Sequence, residues 1–590
     1  MVCHGAPCHV PVVSEQWEVP QEQRLDGPNA EPVDTIIRSS ETRYRGKLYE
    51  QSSGVKHPYT GWLSIPYAHQ PTRFKQSYLV PVRAQVDGEA DGYGDAVVDA
   101  TEWDQGCARR TNDMPGQQGY DGSEDCLRFG LTRSTSSPRL KIPGRLLPVL
   151  LWIHGGAYVA GYAAGPRYDP GQLMDRAQSM QKPVIIVSIN YRLAALGITA
   201  TPPTPPHIPT LRPKECDLNV GLKDQLVAME WVQREIEKFG GDPKAVTLVG
   251  HSAGAMSVGL HQLYSSPGLF RAAFMMSGGP SSTRRYGPPS NVRLTQCLRE
   301  LSIEYFMDTT RTLSDPYGVN GWFPWYPVLE GEFEGAWIDV RPSERIARGV
   351  YNRVPITMGS VIDEGTRAVP GGLITFASPE LESQQAVQDA LQHAFSFAFG
   401  GIQDWLEPIW QYYPFNKLNE GSPYNTGNET FDLSPAYKQC SSLLGDVFFQ
   451  APRRYLLRET PKDFDEAAWN YVWNEPREGA NPRLGVQDGA DLSAWWGRPN
   501  SSDSEIHRLS RHMTSYLVCT RSPFSRATRS ATSNFVDHMT PNGPGLREWP
   551  QYGVAGNTLQ FAHHKLTLAH DDDRLDVMQF LNRNNSLFHR

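Results

Sequence analysis

Three nearly uninterrupted apolar runs stand out in the first half of the chain. They are Leu147–Ile153, Pro183–Tyr191 and Ala245–Val249. A strand of a parallel sheet that helices cover on both faces is apolar on both faces, so its sequence is continuous rather than alternating. The three runs therefore predict buried, parallel strands.

An amphipathic helix is predicted between the second and the third run. Apolar residues recur there at spacings of three and four, which places them on one helical face. They are Leu222, Leu226, Met229, Val232, Ile236 and Phe239. Gly240–Pro243 ends this helix and leads into the third run. The alternation of strands and helices predicts an α/β fold with a central, mostly parallel sheet that helices flank.

The third run leads directly into the sequence Gly-His-Ser-Ala-Gly at Gly250–Gly254, and a helix-compatible segment follows. This G-x-S-x-G pattern between a strand and a helix is typical of a nucleophile elbow. A side chain at Gly250 or Gly254 would collide with the neighbouring strand and helix. The turn is expected to lift Ser252 Oγ to the top of the sheet, where the N-terminus of the next helix faces any negative charge that forms.

Composition and charge narrow the class of protein. The net charge of -8 argues against general nucleic-acid binding. No apolar run approaches the roughly 18 residues that span a bilayer. The chain shows no internal repeat and no dividing linker. We therefore predict a flexible tail over residues 1–40, rich in Pro, Glu and Gln, and a single domain over residues 41–580.

The cysteines and the N-terminus give opposite indications of location. The first residues lack the basic and apolar parts of a secretory signal, which favours an intracellular protein. Cys107 and Cys126, however, bracket a polar, Gly-rich loop and predict a disulfide, which requires an oxidising compartment. Cys3 and Cys8 stand beside histidines without a second ligand cluster, so we predict no metal site and no cofactor.

A series of motifs, in order, resembles the type-B carboxylesterase family, the α/β-hydrolases that include cholinesterases and fungal lipases. The motifs are Ile65–Ala68, Ser123–Leu127, Trp152–Gly156, Asn190–Arg192, Asn219–Gln225, Phe239–Pro243, Gly250–Gly254, Pro327–Phe333 and Asp363–Gly365. The resemblance implies an α/β-hydrolase fold. It also implies a carboxylic ester hydrolase or an acyl-transferring serine esterase, whose partner is a small-molecule ester.

The resemblance also implies roles for particular residues. Ser252 corresponds to the nucleophile, and Glu364 corresponds to the acid that follows the serine along the chain. The backbone N–H groups of Gly156, Ala157 and Ala253 correspond to the oxyanion hole, which needs donors fixed in advance. The family usually has a glycine where Ala157 stands, but alanine keeps the N–H group.

One departure from the family pattern concerns the catalytic base. The segment Gly485–Leu492 matches the family pattern G-x-x-H-G-x-[DE]-L except that Asp488 stands at the histidine position. A carboxylate with a pKa of about 4 is a poor base for a hydroxyl group and cannot return the proton as an imidazolium does. Asp488 would also lie near Glu364, and two close carboxylates resist joint ionisation.

Three explanations of this departure remain open. In the first, another histidine serves as the base; the candidates are His507, His512, His563, His564 and His570. His251 is less favoured, because its position in such an elbow normally points away from the reacting side of the serine. In the second, the chain is a catalytically silent or non-hydrolytic relative, such as a binding protein, lyase or cyclase. In the third, the sequence carries a mutation or a gene-model error, and residues 519–533, rich in Ser and Arg, have the character of an insertion.

Aromatic residues near these motifs predict a roomy apolar pocket that suits a hydrophobic ester, of lipid or secondary-metabolite type. They are Tyr158, Tyr162, Trp322, Phe323, Trp325, Tyr326, Trp495 and Trp496. Core packing is the favoured interpretation for any single one of them. The sequence leaves the oligomeric state open.

Overall fold

The structure is a computed structural model of the 590-residue chain. It describes residues 35–38, 42–50, 55–80, 97–110, 120–134, 146–198, 217–280, 298–314, 325–330, 336–367, 383, 385, 406–414, 429–433, 436–460, 467–518, 535–543 and 545–585. The insertion predicted at 519–533 and nearly all of the tail predicted at 1–40 lie outside these residues.

Of the fifteen strands in the described residues, thirteen form one sheet, and β5 pairs with β6 in a separate ribbon. The strands are β1 Thr35–Arg38, β2 Arg43–Tyr49, β3 Tyr59–Pro66, β4 Val97–Asp99, β5 Arg109–Arg110, β6 Tyr120–Asp121, β7 Arg128–Ser134, β8 Leu147–Ile153, β9 Ile185–Ile189, β10 Gly241–His251, β11 Ala272–Met276, β12 Ile356–Val361, β13 Ala468–Asn474, β14 Asn557–Ala562 and β15 Lys565–His570. Three of them coincide with the predicted apolar runs.

The centre of the sheet is parallel and its margins are antiparallel. The order is β1-β2-β3-β7-β9-β8-β10-β11-β12-β13-β14-β15, with β4 beside β2. Every pair from β9 through β8 and β10 to β14 is parallel. The carboxyl ends of these strands therefore meet at one edge of the sheet, where ligands bind in open α/β sheets. The predicted fold class is confirmed.

Helices connect the parallel strands. They are α1 Gly171–Ser179, α2 Ala194–Gly197, α3 Val220–Glu235, α4 Ala253–Tyr264, α5 Ile303–Ser314, α6 Pro342–Ala347, α7 Leu406–Ile409, α8 Ala436–Gly445, α9 Ala451–Glu459, α10 Leu492–Trp495, α11 Ser504–Val518, α12 Phe535–His538 and α13 Leu575–Arg583. Short 3₁₀ helices lie at Pro166–Tyr168, Ile236–Phe239, Glu364–Arg367 and Pro482–Leu484, and a π-helical turn at Asp446–Gln450. The predicted amphipathic helix is α3 with the 3₁₀ turn behind it.

The sheet separates two hydrophobic layers. Along β8, Val149 and Leu151 pack into one layer together with α3, whereas Leu150 and Trp152 pack into the other together with α11. This alternation follows from the two-residue period of a strand. Both faces of the central strands are buried, which explains why their sequences are apolar throughout.

The domain begins earlier than the predicted boundary at residue 40, because strand β1 begins at Thr35 and pairs with β2.

Among the described helices, none combines the length and apolar character that crossing a membrane requires.

Candidate active site

Ser252 lies in the sharp turn between β10 and α4. Its backbone has φ 53° and ψ -122°, a conformation that costs free energy in any residue with a side chain. Such strain persists only where the surrounding structure fixes it, and it is concentrated at functional sites. The side chain of Ser252 is thereby held at the carboxyl edge of the parallel strands, as the sequence predicted.

The glycines of the elbow are required by close contacts. A Cβ atom on Gly250 would lie 2.4 Å from the carbonyl oxygen of Gly254. A Cβ atom on Gly254 would lie 2.0 Å from the carbonyl oxygen of Ile153, at the end of β8. These contacts confirm the expected collisions and hold the first turn of α4 tightly against the sheet.

The loop that follows β8 approaches the elbow. A Cβ atom on Gly155 would lie 3.1 Å from Ser252 Cβ, so this loop and the serine are neighbours. Gly156 and Ala157 both have positive φ values, 124° and 53°. The N–H groups of Gly156, Ala157 and Ala253 donate to no acceptor in the described part of the chain. Three uncommitted donors beside a serine are the components of an oxyanion hole.

Asp488 lies beside Ser252 and His251. Its Oδ1 atom is 2.9 Å from His251 Nε2, an ion-pair distance, although neither atom has a well-aligned hydrogen bond in the described part of the chain. Burial raises the pKa of Asp488, but His251, Arg367 and the hydroxyl group of Ser252 outweigh it and lower the pKa. Asp488 is therefore an ionised carboxylate at neutral pH.

Glu364 is the second carboxyl group of the site. It begins the 3₁₀ helix behind β12, and its Oε1 atom accepts a hydrogen bond of 3.0 Å from the Val361 N–H group. Burial raises the pKa of Glu364 well above its usual value, and the carboxylate of Asp488 raises it further. The pKa of Glu364 therefore lies well above that of Asp488, as expected of two close carboxyl groups.

The structure adds residues that the sequence analysis did not select. Asp491 interacts electrostatically with both His251 and Asp488, and it accepts a hydrogen bond of 2.6 Å from Tyr471. Ser277, which directly follows β11 and has φ 51°, lies close enough to Glu364 to lower its pKa. The usual direction of a residue at this position disfavours His251 as the base, yet its ring contacts Asp488. The acidic residues of the 485–492 segment were a signal for Asp491, but nothing in the sequence pointed to Ser277.

The other candidate histidines lie elsewhere. His507 hydrogen-bonds the Ser501 carbonyl, His564 pairs with Asp503 at 3.1 Å, and His570 hydrogen-bonds the Ala555 carbonyl. His512 is surrounded by arginines of α1 and α11, which lower its pKa together with burial. His563 is exposed in the β14–β15 turn. None of the contacts described for these five histidines involves Ser252, Asp488 or Glu364.

The predicted aromatic lining is divided between site and core. Tyr158 and Tyr326 have ring centroids 6.0 Å apart, and Phe448 lies 6.0 Å from Tyr326. Asp488 contributes to the raised pKa of Tyr326, which places that ring near the carboxylate. Trp495 and Trp496, in contrast, pack among core aromatic rings, at 4.9 Å from Phe274 and 5.1 Å from Trp152. For these two residues the structure shows core packing, the favoured interpretation, and Trp322 and Phe323 lie outside the described residues.

The parallel sheet, the strained serine between strand and helix, and the donor-rich loop define an α/β-hydrolase of the serine type. The chain belongs to the carboxylesterase family, whose sequence model matches residues 33–581. It is accordingly a serine carboxylesterase-type hydrolase, and the prediction of ester hydrolysis is confirmed at this level. The alternative of a catalytically silent relative is not favoured.

Characterised relatives support this assignment across most of the chain. Lipase 4 of Diutina rugosa is 28% identical over 542 residues, which cover 84% of this chain and 87% of the lipase. The secreted triacylglycerol lipase of Gibberella zeae is 27% identical, over 78% of this chain and 75% of the lipase. Acetylcholinesterase of Bungarus fasciatus is 32% identical, over 84% of this chain and 77% of that enzyme.

The expectation of an intracellular location is wrong. One of these relatives is a secreted lipase, and this similarity points to secretion. The predicted disulfide between Cys107 and Cys126 is present, with the two Cα atoms 4.8 Å apart. Disulfides persist in oxidising compartments, so the bond agrees with this correction.

Proposed function

We propose that this chain hydrolyses hydrophobic carboxylic esters through an acyl intermediate on Ser252. The observation that carries the proposal is the position of Ser252, held in strained backbone geometry beside the uncommitted N–H groups of Gly156, Ala157 and Ala253. Attack on the ester carbonyl turns its oxygen into an oxyanion. Donors fixed around that oxygen stabilise the transition state more than the ground state, which is what accelerates the reaction.

The proton of Ser252 has a path through Asp488 to His251. The path requires a neutral His251 whose ring proton is on Nδ1, so that Nε2 can accept. As Ser252 Oγ bonds to the carbonyl carbon, its proton passes to the Asp488 carboxylate and on to His251 Nε2, 2.9 Å from Oδ1. The result is an imidazolium beside a carboxylate. The proton returns along the same path to the leaving alcohol, and water repeats the cycle to release the acid. Imidazole is suited to this exchange because its ordinary pKa lies near neutrality.

Glu364 supports this arrangement as a neutral acid. If both buried carboxyl groups were ionised, their repulsion would have to be overcome in a site from which water is largely excluded. With the proton on Glu364, the negative charge is concentrated on Asp488, next to the hydroxyl group of Ser252. Glu364 thus occupies the position of the family's catalytic acid, while the negative charge lies on Asp488, beside Ser252.

The aromatic cluster of Tyr158, Tyr326 and Phe448 supports a hydrophobic substrate. The ring of Tyr326 lies 6.0 Å from each of the other two, and it is near Asp488. Binding pockets of this kind gain affinity from apolar surface and orient the ligand through a few polar groups. The relatives named as lipases act on esters of that class, which agrees with the proposal.

The test combines labelling by a fluorophosphonate probe with turnover of p-nitrophenyl butyrate. The unmodified protein is expected to label and to turn over the ester, and Ser252→Ala is expected to do neither. His251→Gln keeps a polar atom near Nε2 but cannot carry a proton, so its turnover is expected to fall by about 10²- to 10⁴-fold. Asp488→Asn is expected to lose a comparable factor.

Matched controls are His512→Gln and His564→Gln, which should keep the turnover of the unmodified protein. Full activity of His251→Gln would contradict the proton path and leave the role of Ser252 intact. If only Asp488→His labels and turns over, the chain as it stands lacks a working base, and the proposal is wrong.

A further inference from the structure

Three arginines lie at the edge of the sheet that carries Ser252. Arg167 is in the 3₁₀ helix Pro166–Tyr168 of the connection that follows β8, Arg367 ends the 3₁₀ helix that follows β12, and Arg477 lies in the loop that follows β13. These three strands belong to the parallel part of the sheet. The three guanidinium groups therefore come from separate connections at the same edge as the nucleophile.

Contacts of neighbouring residues bring these connections together. Thr366, next to Arg367, donates a hydrogen bond of 2.7 Å to the carbonyl of Leu484, in the segment that joins Arg477 to Asp488. Tyr168, next to Arg167, lies 6.3 Å from the ring of Trp496, shortly after Asp488 along the chain. Both flanks of the Asp488 segment are thus held against a connection that carries an arginine.

The three charges also influence one another. Burial, and after it the charges of Arg367 and Arg477, lower the pKa of Arg167 to about 10. The Arg167 side chain is accessible to solvent, and those of Arg367 and Arg477 are half-buried. Like charges that lie this close repel one another, and an anion between them relieves the repulsion.

None of the three arginines has a carboxylate partner within ion-pair distance in the described part of the chain, and nearby acids are already engaged. Asp169 pairs with Arg498 at 3.0 Å. Glu478, next to Arg477, accepts hydrogen bonds from the N–H and hydroxyl groups of Ser502. Other arginines of the chain are paired, for example Arg192 with Asp224 at 2.7 Å. Asp488 attracts Arg167 and Arg367 from beyond ion-pair distance. Three positive charges near this one carboxylate still favour the binding of a second anion.

We propose that Arg167, Arg367 and Arg477 bind a carboxylate of the substrate, so that the enzyme prefers esters that carry a free carboxylate beyond the ester bond. Guanidinium groups match the two oxygens of a carboxylate, and three of them from separate loops surround it. Asp488 and Asp491 stand close by, and a singly charged carboxylate meets less repulsion from them than a phosphate dianion. This inference rests on the proposed function, since it names the substrate class of the same site.

The test compares two esters of equal chain length, mono-p-nitrophenyl adipate and p-nitrophenyl hexanoate. The first ends in a carboxylate and the second in a methyl group. The ratio of their kcat/KM values is expected to favour the adipate by at least about tenfold at low salt and to fall as the ionic strength rises. Arg167→Gln, Arg367→Gln and Arg477→Gln should each lower this ratio by about 10- to 100-fold, mainly through the KM of the adipate.

The matched control is Arg348→Gln, which removes an exposed arginine paired with Glu344 on α6 and should leave the ratio unchanged. A second arm measures the binding of monomethyl adipate to Ser252→Ala by calorimetry, with and without each arginine substitution. Because this arm needs no turnover, it tests the anion site even if the proposed mechanism fails. Equal kcat/KM values for the two esters would overturn the inference, and so would adipate affinity that the arginine substitutions leave unchanged.

Discussion

At the scale of single residues, the chemistry of the site depends on how one proton is distributed between two buried carboxyl groups, those of Glu364 and Asp488. Burial and Asp488 raise the pKa of Glu364, while His251 and Arg367 keep Asp488 ionised. A neighbouring carboxyl group, Asp363, is separate from this pair. Burial raises its pKa to about 6, although the Val486 N–H group donates to it at 2.7 Å. The two raised values give the stability of the protein a definite dependence on pH.

The carboxyl group of Glu364 is expected to reduce stability as the pH rises. Its pKa in the folded protein lies above the value of about 4.3 for an unfolded glutamate, so the folded state holds the proton longer. The stabilisation is complete below the unfolded pKa and is lost as the pH rises through the folded one, by up to about 1.4 kcal/mol per pH unit. Glu364→Gln removes this loss, which urea unfolding at a series of pH values will show.

Asp363→Asn provides the comparison, because its contribution is lost between about pH 4 and pH 6. The two variants should flatten different parts of the stability profile. A Glu364→Gln profile that runs parallel to that of the unmodified protein at every pH would contradict a protonated Glu364.

At the scale of elements, the last part of the chain is joined to the body by one buried ion cluster. Asp571 directly follows β15 and accepts hydrogen bonds of 2.8 and 2.9 Å from Arg453 and of 2.8 Å from Arg454, both on α9. Burial raises the pKa of Asp571, but the two arginines outweigh it and bring the pKa far below its usual value. The cluster fixes α9 against the β14–β15 hairpin.

Asp571→Asn is expected to destabilise the protein by about 3–5 kcal/mol, because two buried guanidinium groups lose their counter-charge. A lowered pKa means that this stabilisation is present above the unfolded pKa of about 3.9 and is lost as the pH falls through the folded pKa. Denaturant unfolding at neutral pH measures the cost. Glu344→Gln breaks an exposed pair on α6 and should cost at most about 1 kcal/mol; equal costs for the two variants would contradict this account.

How far the sequence predicts the site depends on the range of the interaction. The elbow is local, since the strand, two glycines and the serine are contiguous in Gly250–Gly254, and its geometry follows from them. The contact between His251 and Asp488 joins residues more than 200 positions apart, and the direction of a histidine ring is set by tertiary packing. No sequence signal identifies Arg367 or Ser277, because only the folded sheet places them near the carboxyl groups.

At the scale of the whole molecule, fold and family were predictable because long apolar runs and ordered motifs carry that information. The sequence could not divide Trp495 and Trp496 between core and pocket, because an aromatic residue looks the same in both. The single-domain interpretation of residues 41–580 and the insertion at 519–533 stay predictions. The disulfide between Cys107 and Cys126 closes a loop of sequence separation 19.

Removal of this disulfide is expected to lower the stability of the whole molecule. Cross-linking a loop of this size restricts the unfolded chain and contributes about 3 kcal/mol in the entropic model. Cys107→Ser should therefore unfold at lower denaturant concentration than the unmodified protein. A reducing agent should lower the stability of the unmodified protein but not that of Cys107→Ser. The matched control is Cys440→Ala at the buried free thiol, which keeps the sensitivity to the reducing agent. The prediction would be contradicted if complete reduction of the disulfide left the stability of the unmodified protein unchanged.

The strained backbone of Ser252 has a consequence for how such a sequence is maintained. Glycine adopts a φ of 53° with less strain than serine does. Ser252→Gly would therefore end catalysis and also relieve the strain of the turn. Selection for heat resistance alone would therefore tend to discard the serine, and engineered consensus libraries screened only for folding would accumulate its loss. A lineage that retains Ser252 is thus under selection for catalysis rather than for stability.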